Sequence, residues 1–267
     1  MAGGDGSQAL VASVAVESGI PFVCISAGTR NHFALDLGLN REDPRTGMIA
    51  LVDGVERRVD YATVGDRLFV NNASLGIYAA VVQQDAYRDA KVETSLARLP
   101  EMLGRQAEPF DLQFATPGGE AVDGAFLILI SNNPYALGPS LDVSQRRSMD
   151  TGMLGVLAIT AESGIAAGRL VTRALVGRAT RDPHVHAFAT REFEVRSRRG
   201  HAPVGVDGER LYLPTPLRFA SHPRGLLMLV PPGNLDAAER RRARSLDVRA
   251  LVWIALGRPP SGESMSA

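Results

Sequence analysis

Three stretches of this 267-residue chain combine residue types that do chemistry together. The first, Gly3-Gly4-Asp5-Gly6-Ser7, stands directly before Gln8 to Ser18, a run of small apolar residues with helical spacing that Gly19 caps and Pro21 stops. Glycines let the backbone come close to a ligand with successive N–H groups aimed at it, and the N-terminus of a following helix favours an anion in the same place. Ser7 can cap that helix or bind a phosphate oxygen. Asp5 would repel a bare phosphate unless a cation such as Mg2+ lay between them, so it argues for a metal–nucleotide complex. Taken alone, the stretch also reads as an ordinary turn.

The second stretch, Gly28-Thr29-Arg30-Asn31, follows a short apolar strand at Pro21 to Ile25 and opens a short helix, His32 to Leu37, that ends at Gly38. Two loops at the same ends of successive strands face one crevice, where open α/β sheets bind their ligands. The plainer reading is that Thr29 and Asn31 only cap the helix. The third stretch, Val206-Asp207-Gly208-Glu209, is by itself a hairpin turn followed by a surface charge. Other candidates are thinner. His184 and His186 share one face of a strand and could offer two imidazoles to a metal, with no third ligand nearby. Cys24, inside Phe22-Val23-Cys24-Ile25, reads as an inert core thiol. As the one cysteine, it excludes an internal disulfide and any multi-cysteine zinc site.

Elements able to hold these residues follow from pattern. Up to residue 46 the rhythm is strand, glycine loop, helix, as in an α/β layer. Beyond it, strands are expected at Val59–Val64, Arg67–Ser74, Phe110–Thr116, Ala125–Ser131, Met153–Thr160, His184–Ala189, Glu192–Arg198, Val204–Val206, Leu217–Ala220 and Leu226–Val230. Gly65-Asp66 would turn the first two into a hairpin, and many short strands at this spacing make an antiparallel sandwich. Helices are expected over Tyr78–Arg105, broken near Pro100, over Glu162–Val176, and over Asp236–Arg258, with polar residues after Pro259-Pro260. The resulting division is 1–46, 47–234 and 235–267.

Composition narrows the function classes. With 45% hydrophobic and 22% charged residues the chain is globular, which rules out wholesale disorder. Its 29 basic and 29 acidic side chains cancel, removing the bulk-charge argument for a nucleic-acid partner. Of the basic residues only Lys91 is a lysine. No apolar run approaches the roughly 18 to 20 residues that span a bilayer, and the first residues lack a secretory pattern. A cytoplasmic protein is expected. Arg240, Arg241, Arg242 and Arg244 form a basic cluster, either a solvated face or a contact for an anionic membrane surface.

In order and spacing, the three stretches resemble the lipid kinase family of diacylglycerol kinases and sphingosine kinases. Members carry a Gly-Gly-Asp-Gly-Thr/Ser loop, a Gly-Thr-x-Asn-Asp-Phe-Ala loop and a late Asp-Gly-Glu. Here these are Gly3 to Ser7, then Gly28-Thr29-Arg30-Asn31-His32-Phe33-Ala34, then Asp207-Gly208-Glu209. Phe69-Val70-Asn71-Asn72-Ala73-Ser74-Leu75-Gly76 resembles the family's strand leading into a helix, and Pro231 falls where its β-domain closes.

The resemblance implies a fold class of α/β plus β: a truncated α/β nucleotide-binding domain followed by a β-sandwich domain, with the active site in the cleft between them. It implies ATP and Mg2+ as cofactors, a lipid substrate met at a membrane surface, and peripheral membrane association; self-association is left open. Gly3, Gly4, Gly6, Ser7 and Thr29 would hold the ATP phosphates, Asn31 would support the second loop, and Asp5 would serve the Mg2+-nucleotide. Glu209 would be the general base for the attacking hydroxyl, a role consistent with phosphoryl transfer by positioning and charge neutralisation.

This chain departs from the family pattern at three places. His32 stands where members commonly have Asp. A structural Mg2+ site that usually has Asp directly before a glycine here has Thr151, with Asp150 one residue earlier. Members also carry a first strand and much of the nucleotide pocket ahead of the first glycine loop, so the chain is expected to be a fragment, a start placed at an internal methionine, or a degenerate member. Two rival functions stand beside the lipid kinase: an NAD kinase-like enzyme, which shares the Gly-Gly-Asp-Gly loop, and a non-catalytic remnant that binds lipid or nucleotide.

Overall fold

A computed structural model describes residues 1–28, 31–40, 42–76, 110–135, 146, 148–160, 166, 170 and 182–232. The helices expected over 78–105 and 236–258, most of that over 162–176, Thr29, and the arginines at 240–244 lie outside the described residues.

Two six-stranded antiparallel sheets dominate the strands of the described residues. One runs β10 (Val185–Thr190), β9 (Leu154–Thr160), β8 (Ala125–Asn132), β5 (Asn72–Gly76), β12 (His201–Val206), β13 (Glu209–Pro214). The other runs β4 (Arg67–Phe69), β3 (Val55–Val64), β14 (Leu217–Val230), β11 (Glu192–Arg196), β6 (Gln113–Ala115), β7 (Ala121–Asp123). The sequence dictates which face goes inward. In β3, Val59, Ala62 and Val64 are buried while the strand's first residues are exposed. In β8 nearly every residue is buried, as its unbroken apolar run requires. Between the sheets Phe114 and Phe193 meet edge to face at 5.5 Å, and Phe193 also touches Phe188 and Phe219. Aromatic pairs of this kind add about 0.5–1.5 kcal/mol each beyond the area they bury.

A smaller α/β layer leans on the second sheet. β1 (Ala2–Gly3) and β2 (Ile25–Ser26) pair in parallel, Gly3 opposite Ser26. Phe22 continues the contact by a parallel bridge to Met228 of β14. Helix α1 (Asp5–Ser18) buries Ala9, Ala12 and Ala15, and its short side chains let it lie close to β14 and β4. Gly19 ends it in the left-handed conformation, φ 64°. Helix α2 (His32–Asp36) buries Phe33 completely. Two short helices, α3 (Arg45–Met48) and α4 (Ala50–Asp53), lead into β3. Cys24 is buried here, and burial pushes its thiol up to about 12, as an inert core cysteine should behave.

Several expectations need correction. Arg67–Ser74 is not one strand: it breaks at Val70-Asn71, and β4 joins one sheet while β5 joins the other. The break has a cause, since the N–H groups of Val70, Asn71 and Asn72 are taken by a side chain, the carboxylate of Asp207. Leu217–Ala220 and Leu226–Val230 belong to one strand, β14, interrupted by an irregularity between His222 and Leu226. There Arg224 is left-handed, and its N–H donates to the buried Asp60 carboxylate. Helices α3 and α4 and strands β1, β7 and β13 had no clear signal in the sequence, because each is short and partly exposed.

Candidate active site

Placing β1 beside β2 brings the two glycine loops into backbone contact. A Cβ on Gly28 would stand 2.3 Å from the Cα of Gly4 and 2.8 Å from its nitrogen. Only two glycines allow that approach. Asn31, itself left-handed at φ 50°, closes the second loop: its Oδ1 accepts the Gly28 N–H at 3.0 Å, and its Nδ2 donates to the Gly28 carbonyl at 2.7 Å. Gly4 caps α1 in an extended conformation with no side chain of its own to claim the helix's first N–H groups. Ser7 is exposed on the first turn.

Asp5 does something that spacing alone did not indicate. Its two carboxylate oxygens accept the N–H groups of His32 and Phe33, at 3.2 and 3.1 Å. Thus the aspartate of the first loop caps the helix opened by the second, a favourable placement of negative charge at a helix N-terminus. Gln8, buried on α1, ties the same layer together by donating to the carbonyls of Met1, Gly3 and Ile25.

The third stretch arrives on the hairpin between β12 and β13. Asp207 and Gly208 both have positive φ, 45° and 86°, the geometry of a tight two-residue hairpin turn. Glu209 is thereby carried over α1: a Cβ on Gly6 would meet its Oε1 at 3.1 Å. All three stretches therefore meet at one end of α1. Glu209 Oε2 accepts from the guanidinium of Arg67 at 2.7 Å, both side chains being about half exposed. A pair so wet contributes at most about 1 kcal/mol, so its weight lies in orientation.

Asp207 is the buried member of the motif. Its carboxylate accepts three N–H groups, from Val70 at 2.8 Å, Asn71 at 2.9 Å and Asn72 at 3.0 Å. Burial pushes its pKa up to about 7, against the pull of those donors and with a further push from the charge of Asp5. On the opposite side of the same segment lies Arg146, which is 1% exposed. Its Nε donates to Asp36 Oδ2 at 2.7 Å. One terminal nitrogen reaches the carbonyls of Val70 and Asn132 at 2.7 and 2.8 Å, and the other reaches Asn71 Oδ1 at 2.9 Å. Asn72 Nδ2 donates to Tyr135 Oη at 2.9 Å, and burial pushes that phenol up to about 12. Sequence reasoning passed over Gln8, Asp36 and Arg146. The one available signal was the polar run Ser131-Asn132-Asn133 at the end of the buried strand β8.

Asp150 and Thr151 lie on a turn before β9. Asp150 bonds the Ser148 hydroxyl, while Thr151 donates through both its N–H and its hydroxyl to Asn133 Oδ1, at 2.8 and 2.6 Å. The carboxylate facing this turn from the core is Asp60, which accepts the Gly152 N–H at 2.7 Å. Among the described residues no three His, Cys, Asp or Glu side chains converge as a metal site. His186 sits against Thr160 and the edge of Phe114. A groove of about 610 Å³ lined in part by Phe114, Phe188 and Phe193 opens at β6, β7 and β10. Those strands lie toward the ends of the sheets opposite β4 and β13, away from Arg67 and Glu209.

The glycine-loop end of α1 has the features a phosphate-binding site requires. The two loops approach as closely as glycine alone permits, and among the described residues outside Gly4's chain neighbours the nearest atom to where a Cβ on Gly4 would stand is the Gly28 Cα at 3.5 Å. For a divalent cation the available carboxylates are Asp5 and Glu209, each of which keeps unused oxygen lone pairs after the bonds described.

Comparison with known proteins bears on the family and the fold. The model of the diacylglycerol kinase catalytic domain matches residues 1–64, and that of the YegS C-terminal NAD kinase beta sandwich-like domain matches residues 72–230, more than half of the chain. The chain belongs to this diacylglycerol kinase-like family, with its NAD kinase-like β-sandwich. Among curated relatives, a diacylglycerol kinase of Bacillus subtilis is 26% identical over 69% of this chain and 62% of its own. An uncharacterized protein of Synechocystis is 22% identical over 87% of this chain and 54% of its own. The chain thus spans a little over half the length of these two relatives. Two solved structures from Bacillus anthracis share the fold, each covering 86% of this chain. One, a diacylglycerol kinase, has a TM-score of 0.62 at 18% identity over 76% of its own chain. The other has 0.64 at 16% identity over 77%. No helix among the described residues is long and apolar enough to cross a membrane.

Proposed function

We propose that this protein is an ATP-dependent lipid kinase that moves the γ-phosphate of ATP to the hydroxyl of a diacylglycerol-like lipid. One observation carries the reading: Glu209, brought from the far end of the chain, stands over Gly6 at the N-terminus of α1, beside the paired glycine loops. Gly3, Gly4, Gly6 and Ser7, with Thr29 and Asn31 of the second loop, hold the phosphates through backbone N–H groups and the helix terminus. Asp5 fixes the second loop against the first and lies where a Mg2+-nucleotide binds. When bound, Mg2+ neutralises charge on the phosphates.

In the reaction the lipid oxygen attacks the γ-phosphorus and the bond from that phosphorus to the ADP oxygen breaks. Glu209 takes the hydroxyl proton. Arg67 holds the Glu209 carboxylate oriented for that transfer. The lipid is taken from a bilayer surface, which the arginines at 240–244 help the enzyme to meet.

The test offers the purified protein radiolabelled ATP with diacylglycerol vesicles, a sphingoid base or NAD. Label in diacylglycerol supports the reading. Label in NAD alone overturns it in favour of an NAD kinase-like enzyme, whose β-sandwich this chain's resembles. Label in none, with ATP still bound, indicates a non-catalytic binder.

A further inference from the structure

Around the N-terminus of α1 the polar contacts close on themselves. Asp5, in the first turn of α1, holds the start of α2 through His32 and Phe33. Asp36, the last residue of α2, is held by the Arg146 guanidinium. Arg146 grips residues 70–72 on one side through the Val70 carbonyl and the Asn71 side chain, and Asp207 grips them on the other through three N–H groups. Two residues after Asp207, Glu209 returns to Gly6, next to Asp5. Every link is a described contact, and the one gap not closed by hydrogen bonds is the space between Gly6 and Glu209.

We propose that Arg146 is a positioning residue, the strut that joins α2 to residues 70–72 and so fixes how far Glu209 stands from the glycine loops. The proposal rests on the lipid kinase reading and deepens it. Three features single out Arg146. Its fork meets four acceptors drawn from three separate parts of the chain: Asp36 of α2, residues 70 and 71 between β4 and β5, and Asn132 at the end of β8. It is buried, and a buried ion pair is a poor device for stability, because well-packed apolar residues serve as well or better. What an ion pair of this kind supplies is a defined geometry: a planar guanidinium satisfies all four acceptors at once only when α2 and residues 70–72 are correctly spaced. The segment it grips also crosses from one sheet to the other, and Val70 and Asn71 belong to no strand.

Arg146→Lys keeps the charge and loses the fork. We expect kcat for lipid phosphorylation to fall by about 10- to 100-fold, as misplacement of reacting groups by an ångström does, with KM for ATP changed by less than about threefold. In an E209Q background the same change should cost nothing further, because Arg146 acts through Glu209. Losses that multiply would mean a general structural role and would overturn the proposal.

A second arm needs no turnover. Amide hydrogen exchange in R146K should rise together in 32–36 and in 204–211, which do not touch Arg146 beyond Asp36, while β9 and β11 keep their protection. Unchanged exchange in either segment sinks the strut. Should R146K fail to fold, Asp36→Asn, which retains an oxygen acceptor for Arg146 Nε, is expected to give the same pattern at smaller size. If the wild-type protein phosphorylates no lipid, the functional reading fails by itself, and exchange still decides whether Arg146 couples the two segments.

Discussion

Between the two sheets, Phe114, Phe193 and Phe219 stack with Ile128, Ile130 and Leu75 in a cluster built of large side chains and almost no polar groups. Around α1 the small residues Ala9, Ala12, Ala15, Cys24 and Ala34 pack with larger ones such as Phe22, Phe33, Leu37 and Met228, and what registers the parts is polar: Asn31 to Gly28, Asp5 to α2, Gln8 to three carbonyls. The first region obtains its stability from area removed from water, a force without direction. The second adds directional bonds that fix its loops to fractions of an ångström. Damage to the sandwich should therefore appear as lost stability with the site intact. Damage to the glycine-loop layer should appear as lost binding or rate at modest cost in stability.

The largest expected effect is Phe193→Ala. Removing a ring that touches three other phenylalanines costs about 3–5 kcal/mol. Denaturant unfolding should register all of it, while the folded fraction binds ATP with unchanged affinity. Weakened binding without loss of stability would erase the contrast between the regions.

Gly28→Ala comes next and tests the other side. Its methyl would stand 2.3 Å from the Gly4 Cα, so the loops must part. Nucleotide titration should show affinity reduced by about tenfold or more, with a stability loss of about 1–3 kcal/mol, less than for Phe193→Ala. Wild-type affinity in this variant would mean that contact between the loops is not what binds.

A further prediction concerns pH and Asp207. Burial raises its folded-state pKa to about 7 from an ordinary 3.8, so the folded protein binds the proton more tightly than the unfolded chain. The associated stability is fully present below pH 3.8 and is lost as pH rises through 7. Thermal unfolding followed across that window should show a decline with pH in the wild type that is flatter in Asp207→Asn. Identical slopes would mean that the hairpin carboxylate does not titrate there.

Much of this was readable in the sequence because it is local. The apolar runs of β8 and β9, the alternation of β3, the Asp207-Gly208 turn and the helix behind the first glycine loop each follow from neighbouring residues. So did the convergence of the two glycine loops, from strand–loop–helix order, and family likeness brought Glu209 to them.

What escaped was long-range pairing. Nothing near Asp5 announces that its partners are His32 and Phe33, and Arg146, inside Gln145-Arg146-Arg147, has the pattern of a solvated run. Its burial is decided by Asp36 and Asn71, which are 110 and 75 residues away in sequence. The mistaken single strand at Arg67–Ser74 has the same root, since a carboxylate from residue 207 takes the N–H groups that a sheet would have used.

The most direct measurement compares the wild-type protein with Glu209→Gln, using radiolabelled ATP and diacylglycerol vesicles, with thermal unfolding run in parallel. The amide keeps the shape and cannot take the proton, so transfer to lipid should fall by about 100- to 10,000-fold while the unfolding temperature hardly moves. Transfer by Glu209→Gln at the wild-type rate would contradict the placement of the reaction between Gly6 and Glu209.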